Sequence, residues 1–227
     1  RAWGAGDYEE ASRVTMASLV FAGLLSLVIA VFGIVLASNM AGVFGLDPAT
    51  SELATRTIQW LSFFNLAFAI GFILQAALRA SGDAWTPLWV GIGCNVINLP
   101  LFYAFIFGYW GAPKMGVVGS AVAGGISFMA GSLFMLVMWL RQRFKVKYIN
   151  NGWWRRDRLK RLLQIGYPAA LEQGVFQIGF FVFLILIGNY YGTEAFAAYN
   201  IGVNLLAICW TVGFGFSIAG STLVGQH

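Results

Sequence analysis

Long apolar runs without charged side chains determine what this chain can fold into. The first run, residues 14–46, contains no Asp, Glu, Lys or Arg, and five further apolar runs follow it. A helix of about 20 residues crosses the roughly 30 Å hydrocarbon core of a bilayer, so each run is long enough to span it. Hydrophobic residues make up 59% of the chain and charged residues 10%, whereas about a quarter of the residues of a soluble domain are charged. The sequence therefore predicts an integral membrane protein.

Short polar turns divide the chain into six spans. Asp47 is a good helix N-cap and Pro48 a good first helical residue, so a second helix is expected to begin there. Gly82 and Asp83 mark the next turn. The runs are continuous, whereas transmembrane strands show alternating apolar and polar residues. We expect an all-α integral membrane fold with six transmembrane helices, at residues 14–46, 48–79, 86–109, 115–140, 162–191 and 193–225.

A basic segment lies between the fourth and fifth spans. Nine of the fourteen Lys and Arg residues fall within residues 141–161. Loops rich in Lys and Arg stay on the cytoplasmic side, so we expect this loop and both ends of the chain, including Arg1, to be cytoplasmic. Arg56 and Lys114 are then the basic residues left outside. The loop explains the net charge of +5, and nucleic acid is not an expected partner.

The second half of this loop, residues 153–163, is typical of an amphipathic interfacial segment anchored by Trp153 and Trp154. The simpler interpretation is a linker that lies on the headgroups of the plasma (inner) membrane. The alternative is a patch that recognises lipids or regulates the protein. Membrane lipids are expected partners in both cases.

Few polar side chains lie at membrane depth, and these are the candidates for binding. Polar groups avoid lipid, so they are expected to meet in an interior cavity or to contact one another. Glu172 lies well inside an apolar run, where an ionised side chain costs about 2.5–3.5 kcal/mol on insertion scales. The candidates for cation coupling or substrate binding are Glu172, Gln173, Gln177, Asn98, Asn95, Asn204 and Gln75.

Each candidate also has a structural interpretation. An amide at this depth can simply bridge two helices, at about 0.6 kcal/mol per hydrogen bond. Glu172 lies near enough to the cytoplasmic end of its helix to pair with Arg158 or Arg161. If its carboxylate instead faces two aqueous sides in turn, binding a cation on one and releasing it on the other, it is the minimal coupling element of an antiporter.

The sequence carries no pattern typical of an enzyme. It has no paired histidine ligands for a metal, no nucleophile beside a base and no phosphate-binding glycine loop. Cys94 and Cys209 lie in apolar runs and are expected to be packed thiols. We expect no enzymatic activity, no metal site and no cofactor other than a coupling ion.

Rows of small residues predict where helices pack closely. Such rows let helix backbones approach each other in lipid, where no hydrophobic effect drives association. One row lies on the fourth span and comprises Gly119, Ala123, Ser127 and Gly131. Another lies on the sixth span and comprises Gly213, Ser217, Ser221 and Gly225.

Several motifs resemble those of one transporter family. Residues 75–87 have the sequence QAALRASGDAWTP, which resembles the signature between the fourth and fifth helices of the MATE (multidrug and toxic compound extrusion) family. Residues 98–121 look like the next helix and loop of that family, and residues 166–173 and 221–226 resemble its helices seven and eight. The resemblance covers essentially the whole chain.

The resemblance implies a fold of twelve helices in two six-helix lobes around a central cavity. Residues 1–140 would be helices three to six of the first lobe, residues 141–164 the basic cytoplasmic linker, and residues 165–227 the first two helices of the second lobe. The rest of a parent chain would then be a partner, and this fragment alone is not expected to transport. The resemblance also implies export of small organic, often cationic compounds in exchange for protons or sodium.

The resemblance assigns one site residue directly. Asn98 matches an asparagine of the cation site in the first lobe of the family. That cation site also uses an aspartate on helix one, which has no counterpart in this chain. Phe102 stands at the position of the second aspartate, one turn later. Some branches place a coupling glutamate on helix seven where this chain has Phe176. Glu172 is therefore a candidate on physical grounds only.

Two rival hypotheses remain. A flippase for lipid-linked precursors, related in fold, needs a cavity lined by basic residues to hold a pyrophosphate, and none of the six spans supplies one. A membrane enzyme or a non-transporting scaffold predicts that replacing Glu172 changes stability but not ion-coupled transport.

Overall fold

The computed structural model describes residues 3–45 and 47–226, and every regular element within them is a helix. Six of these helices are long and apolar enough to cross a membrane, which confirms the predicted fold class. Arg1, for which we predicted a cytoplasmic position, lies outside the described residues. The helices are α1 (Tyr8–Val35), α2 (Ala37–Gly42), α3 (Pro48–Ala80), α4 (Trp85–Phe107), α5 (Val117–Leu140), α6 (Arg156–Gly192) and α7 (Glu194–Val224).

The starts of α1 and α3 follow from their capping residues. The Asp7 carboxylate accepts a hydrogen bond from the Glu10 N–H at 2.9 Å, and the Asp47 carboxylate accepts one from the Thr50 N–H at 3.0 Å. Pro48 lies in the first turn of α3, where its missing N–H leaves no helical hydrogen bond unmade. The predicted start of the second span is confirmed.

The first apolar run is not the single helix that we predicted. α1 ends at Val35, and Leu36 (φ −94°, ψ 3°) bends the chain before the short helix α2. The Leu36 N–H still donates to the Phe32 carbonyl, and the Met40 N–H donates to the Leu36 carbonyl, each at 2.9 Å. No glycine or proline stands at this bend, so the sequence gives no signal for it.

The fifth span begins earlier than predicted. α6 starts at Arg156, whereas the charge pattern indicated residue 162. Asp157 lies in the first turn, where a negative charge interacts favourably with the helix dipole. α6 has 37 residues, which at about 1.5 Å per residue exceeds the roughly 30 Å hydrocarbon core. Its first turns therefore extend beyond that core.

Helices α1, α3, α5 and α4 pack into one bundle. α3 contacts both α1 and α5 extensively, and α4 packs mainly on α5. Side chains from three helices and from the loop after α5 form the buried cluster at one end of the bundle, and they are Leu19, Leu74, Leu78, Met135, Trp139 and Phe144.

Small residues on α5 allow this close packing. Gly119, Ala123 and Ser127 are buried, and Gly131 lies against the Cys94 sulfur of α4. The structure thus confirms the packing face that the row of small residues predicts on the fourth span.

Gly119→Ala is expected to destabilise the bundle by about 1–3 kcal/mol, the usual cost of overpacking. A Cβ at Gly119 would lie 2.5 Å from the carbonyl oxygen of Phe105 in α4, and a backbone atom cannot rotate away. A Cβ at Gly93 would meet no atom within 4 Å, so Gly93→Ala is the matched control. Thermal unfolding in detergent, followed by tryptophan fluorescence, measures both variants. Equal losses would contradict the close approach of α4 and α5.

Helices α6 and α7 form a hairpin with a very short connection. The rings of Phe176 and Trp210 lie 6.1 Å apart between centroids, and those of Phe183 and Tyr199 lie 5.2 Å apart. Gly192 breaks the helical stretch with φ 78° and ψ −176°, a conformation essentially restricted to glycine. One glycine therefore makes the turn between two membrane spans.

The α6–α7 hairpin contacts the bundle at few points. The Phe44 ring, in the loop after α2, lies 5.1 Å from the Phe181 ring of α6 and 5.9 Å from the Phe196 ring of α7. The most apolar segments of both helices contain no buried residue. Gly213, Ser217 and Ser221 of the row of small residues on α7 are exposed, so the packing face predicted there stays a prediction.

Candidate functional site

A cavity of about 320 Å³ lies between α3, α4 and α5. Three of the seven predicted site residues line it, namely Gln75 from α3 and Asn95 and Asn98 from α4. Ser127 and Ser132 line it from α5. The structure therefore brings amide and hydroxyl groups of three membrane helices to one place.

Glycines on α4 and α5 leave room for this cavity. Gly91, Gly124 and Gly131 all line it. A Cβ at Gly124 would lie 3.8 Å from the amide nitrogen of Asn98, so even an alanine there would contact that amide. Small residues thus give the Asn98 side chain its space.

Asn98 and Ser132 have free hydrogen-bonding capacity. The Ser132 hydroxyl is buried without a partner, and the residue is 3% exposed. Within the described part of the chain, no hydrogen bond reaches the Asn98 carboxamide. A buried polar group without a partner costs about 1–3 kcal/mol. Neither group is used by a hydrogen bond within the described chain.

The other amide and hydroxyl groups of the cavity each form one hydrogen bond within their own helices. Asn95 Nδ2 donates to the Gly91 carbonyl at 2.9 Å, and Gln75 Oε1 accepts from Arg79 Nη1 at 3.4 Å. The Ser127 hydroxyl donates to a carbonyl one turn earlier in α5 at 2.7 Å. Asn98 and Ser132 are therefore the groups best placed to bind.

The lining of the cavity is neutral. Of the residues that the structure describes, no Asp, Glu, Lys or Arg lines it. Phe102 is exposed on α4 and does not line it. Amide and hydroxyl oxygens can coordinate a hard cation or bind a polar group, but they provide no opposite charge.

The candidates on α6 lie away from this cavity. Glu172, Gln173 and Gln177 are all exposed on that helix. The pairing of Glu172 with Arg158 that we considered is wrong, because Arg158 pairs with Glu10. Within residues 3–45 and 47–226, Glu172 forms no ion pair.

Two further amides on the membrane helices behave differently from each other. Asn204 of α7 is exposed, and its Nδ2 donates to the Asn200 carbonyl of the same helix at 2.9 Å. Asn65 of α3 instead bridges two helices, because its Nδ2 donates to the Ser26 carbonyl of α1 at 3.0 Å. Asn65 thus has the helix-bridging role that an amide at this depth can take.

Arg158 is the site that the sequence did not reveal. Its Nε donates to Glu10 Oε1 at 2.9 Å, and its Nη2 donates to Glu10 Oε2 at 2.6 Å. Its Nη1 donates to the carbonyls of Gly152 and Trp153, each at 2.7 Å. The Arg158 side chain is 4% exposed and that of Glu10 is 32% exposed. The pair joins the start of α6 to the start of α1, and the 148-residue separation gives no local signal for it.

Six apolar helices with a polar cavity between three of them define a multi-pass helical membrane protein. The family model MatE matches residues 1–104 and 168–227, more than half of the chain. The chain belongs to the MatE family, as its motifs predicted.

Curated relatives carry multidrug-resistance names. The chain is 36% identical over 168 residues to the probable multidrug resistance protein NorM of Thermotoga maritima, a match that covers 72% of this chain and 35% of the relative. It is 28% identical over 236 residues to the probable multidrug resistance protein YoeA of Bacillus subtilis, covering 100% of this chain and 50% of the relative. The chain thus spans between a third and a half of the length of these relatives.

Two solved structures share the fold. One is a MOP superfamily transporter from Pyrococcus furiosus, for which a reverse polarity of the binding pocket is described. It matches with a TM-score of 0.84 and 22% identity, and the match covers 98% of this chain and 50% of that chain. An inward-facing multidrug resistance MATE family transporter matches with a TM-score of 0.76 and 24% identity over 88% of this chain and 45% of that one. The arrangement of helices is therefore that of MATE transporters.

Proposed function

We propose that the protein carrying this chain is a secondary active transporter that exports organic, often cationic compounds in exchange for protons or sodium. The observation that carries the proposal is the cavity in which Asn98 and Ser132 have free hydrogen-bonding capacity at membrane depth. Polar residues at this depth commonly mark substrate and ion pathways. The multidrug-resistance names of relatives support the same substrate class.

On this proposal, Glu172 provides a coupling charge at a second place, away from the neutral cavity. Its side chain lies on a face of α6 that the rest of this chain leaves uncovered. A charged side chain in the bilayer centre costs about 2.5–3.5 kcal/mol on insertion scales. The proposal therefore requires this face to line a water-accessible space in the full-length protein, with Gln173 and Gln177 as neutral groups on the same helix.

Dye efflux from proteoliposomes tests the proposal. The full-length protein is reconstituted, and efflux of a fluorescent cationic dye is followed under an imposed proton or sodium gradient. Glu172→Gln is compared with Glu194→Gln, which removes another exposed carboxylate of the same hairpin. We expect one gradient to drive efflux, and only Glu172→Gln to abolish the coupling. If the Glu172→Gln variant shows normal efflux, Glu172 has a structural role only. If the unmodified protein shows no efflux under either gradient, the export proposal is overturned.

Neither a flippase nor an enzyme fits as well. A flippase for lipid-linked precursors needs basic groups around a pyrophosphate, and none of the described basic residues lines the cavity. The described residues also hold no group of three or more His, Cys, Asp or Glu able to bind a metal. We infer that the protein has no enzymatic role.

We propose that the α5–α6 loop, residues 141–155, and both ends of the chain face the cytoplasm across the plasma (inner) membrane. Lys114 precedes α5 and Lys145 follows it, and both are exposed. In a background without Cys94 and Cys209, a membrane-impermeant maleimide applied to intact cells is expected to label Lys114→Cys and not Lys145→Cys. The reverse labelling pattern would overturn this orientation.

A further inference from the structure

The α5–α6 loop folds onto the end of the bundle. Gln142 has φ 59° just after α5, and its Nε2 donates to the Tyr148 carbonyl at 2.8 Å. The Lys147 N–H donates to Ser12 Oγ of α1 at 3.1 Å. The far end of the loop is held by Arg158, through the two carbonyl contacts described above. The loop is therefore an ordered part of the structure.

Apolar and basic side chains alternate along this loop. Phe144 is 8% exposed and packs in the buried cluster at the end of the bundle. Val146 is 3% exposed and lines a cavity with residues of α1 and α3. Arg143, Lys145 and Lys147 alternate with them and are exposed. Burial of the two apolar side chains fixes the backbone, so the cations between them are displayed on the outside.

Within the described residues, these cations have no partner. No ion pair among the described residues includes the four exposed cations of the loop, Arg141, Arg143, Lys145 and Lys147. The acidic residues of the α1 start are already engaged, since Glu9 pairs with Arg13 and Glu10 pairs with Arg158. Asp157 is the one acidic residue within residues 84–171 of the sequence. The loop therefore presents a strong uncompensated positive charge.

The loop lies at the depth of the lipid headgroups. Phe144 packs with Leu78 and Trp139, which belong to the last turns of α3 and α5. Trp154, at the end of the loop, is 67% exposed. Tryptophan side chains are enriched at the membrane–water interface. Cations carried just outside these last turns are within reach of lipid phosphates.

We propose that the four exposed cations of the α5–α6 loop form a binding surface for the phosphates of anionic phospholipids in the cytoplasmic leaflet. Ammonium and guanidinium groups form charge-assisted hydrogen bonds with phosphate oxygens. Each cation near an anionic membrane surface strengthens binding about fivefold. Because the loop is already ordered, lipid binding does not carry the cost of ordering it. The surface does not depend on the transport activity, and only its assignment to the cytoplasmic leaflet rests on the orientation proposed above.

Native mass spectrometry of the full-length protein tests this surface. The protein in detergent micelles is titrated with phosphatidylglycerol and, separately, with phosphatidylcholine. Lys145→Gln combined with Lys147→Gln is expected to reduce the preference for phosphatidylglycerol about 25-fold at low salt, since each cation contributes about fivefold. The matched control removes two exposed cations outside the loop, Arg56→Gln with Lys114→Gln, and is expected to keep the preference.

A second variant separates charge from folding. Lys145→Arg combined with Lys147→Arg keeps both charges and is expected to keep the preference, with the same thermal unfolding temperature as the glutamine variant. An equal loss in the loop variant and the control variant, or no loss in either, overturns the proposal. A competition experiment with millimolar inorganic phosphate gives a further test. If phosphate displaces more phosphatidylglycerol than sodium chloride does at equal ionic strength, the loop binds a free anion, and the proposal is overturned.

Discussion

Arg158→Met is expected to destabilise the protein by about 3 kcal/mol, the low end of the range for breaking a buried ion pair by removing one partner. Arg158 donates to both oxygens of Glu10 and to the carbonyls of Gly152 and Trp153, so the substitution leaves all these acceptors without their donor. The low end applies because the Glu10 carboxylate keeps some access to water, with a side-chain exposure of 32%.

Thermal unfolding in detergent measures this loss. Arg161→Met is the matched control, because Arg161 is exposed on the same helix and forms no ion pair among the described residues, and it is expected to change stability by less than about 0.5 kcal/mol. A double-mutant cycle with Glu10→Gln isolates the coupling between the two side chains. Similar losses for Arg158→Met and Arg161→Met would mean that the ion pair does not stabilise the protein.

Asn98→Leu is expected to reduce gradient-driven dye efflux at least tenfold. The substitution removes the carboxamide that has no protein partner and fills part of the cavity with an apolar side chain. A hydrogen bond to a charged group contributes about 1.5–3 kcal/mol, and about 1.4 kcal/mol corresponds to a tenfold change in binding. Because the removed amide bonds to nothing within the described chain, thermal stability is expected to stay the same or rise.

Asn95→Leu is the control for this effect. Asn95 lines the same cavity one turn away, but its amide already bonds to the Gly91 carbonyl of its own helix, so a weaker effect on efflux is expected. Ser132→Ala should behave like Asn98→Leu, with reduced efflux and unreduced stability. Equal efflux from Asn98→Leu and Asn95→Leu proteoliposomes of matched protein content would place Asn98 outside the transport pathway.

Local signals in the sequence predicted the helices well. Asp47 and Pro48 define the start of α3 because capping depends on residues close to each other along the chain. The bend at Leu36 had no such signal, since neither a glycine nor a proline stands at Leu36 itself. The early start of α6 at Arg156 was missed because basic residues were assigned to a linker, although a helix can extend beyond the bilayer.

Features that depend on helix packing were predictable only in part. Polarity at membrane depth identified Gln75, Asn95 and Asn98, but which candidates share a cavity depends on how α3, α4 and α5 are rotated and shifted against one another. Ser132 was missed because a single hydroxyl in an apolar helix usually bonds to a carbonyl of its own helix. Glu172 was identified from its charge alone, and this chain leaves its surroundings uncovered.

The single glycine between α6 and α7 has a consequence for how the protein is made. Gly192 joins two spans directly, so there is no long loop between them that would let one helix insert before the other. The two helices therefore have to enter the bilayer together as one hairpin, and the polar atoms around this turn, with the Glu194 carboxylate, need to be carried to the far side. A side chain at position 192 would strain a conformation that essentially only glycine adopts, and the defect would arise during membrane insertion, before the bundle has assembled.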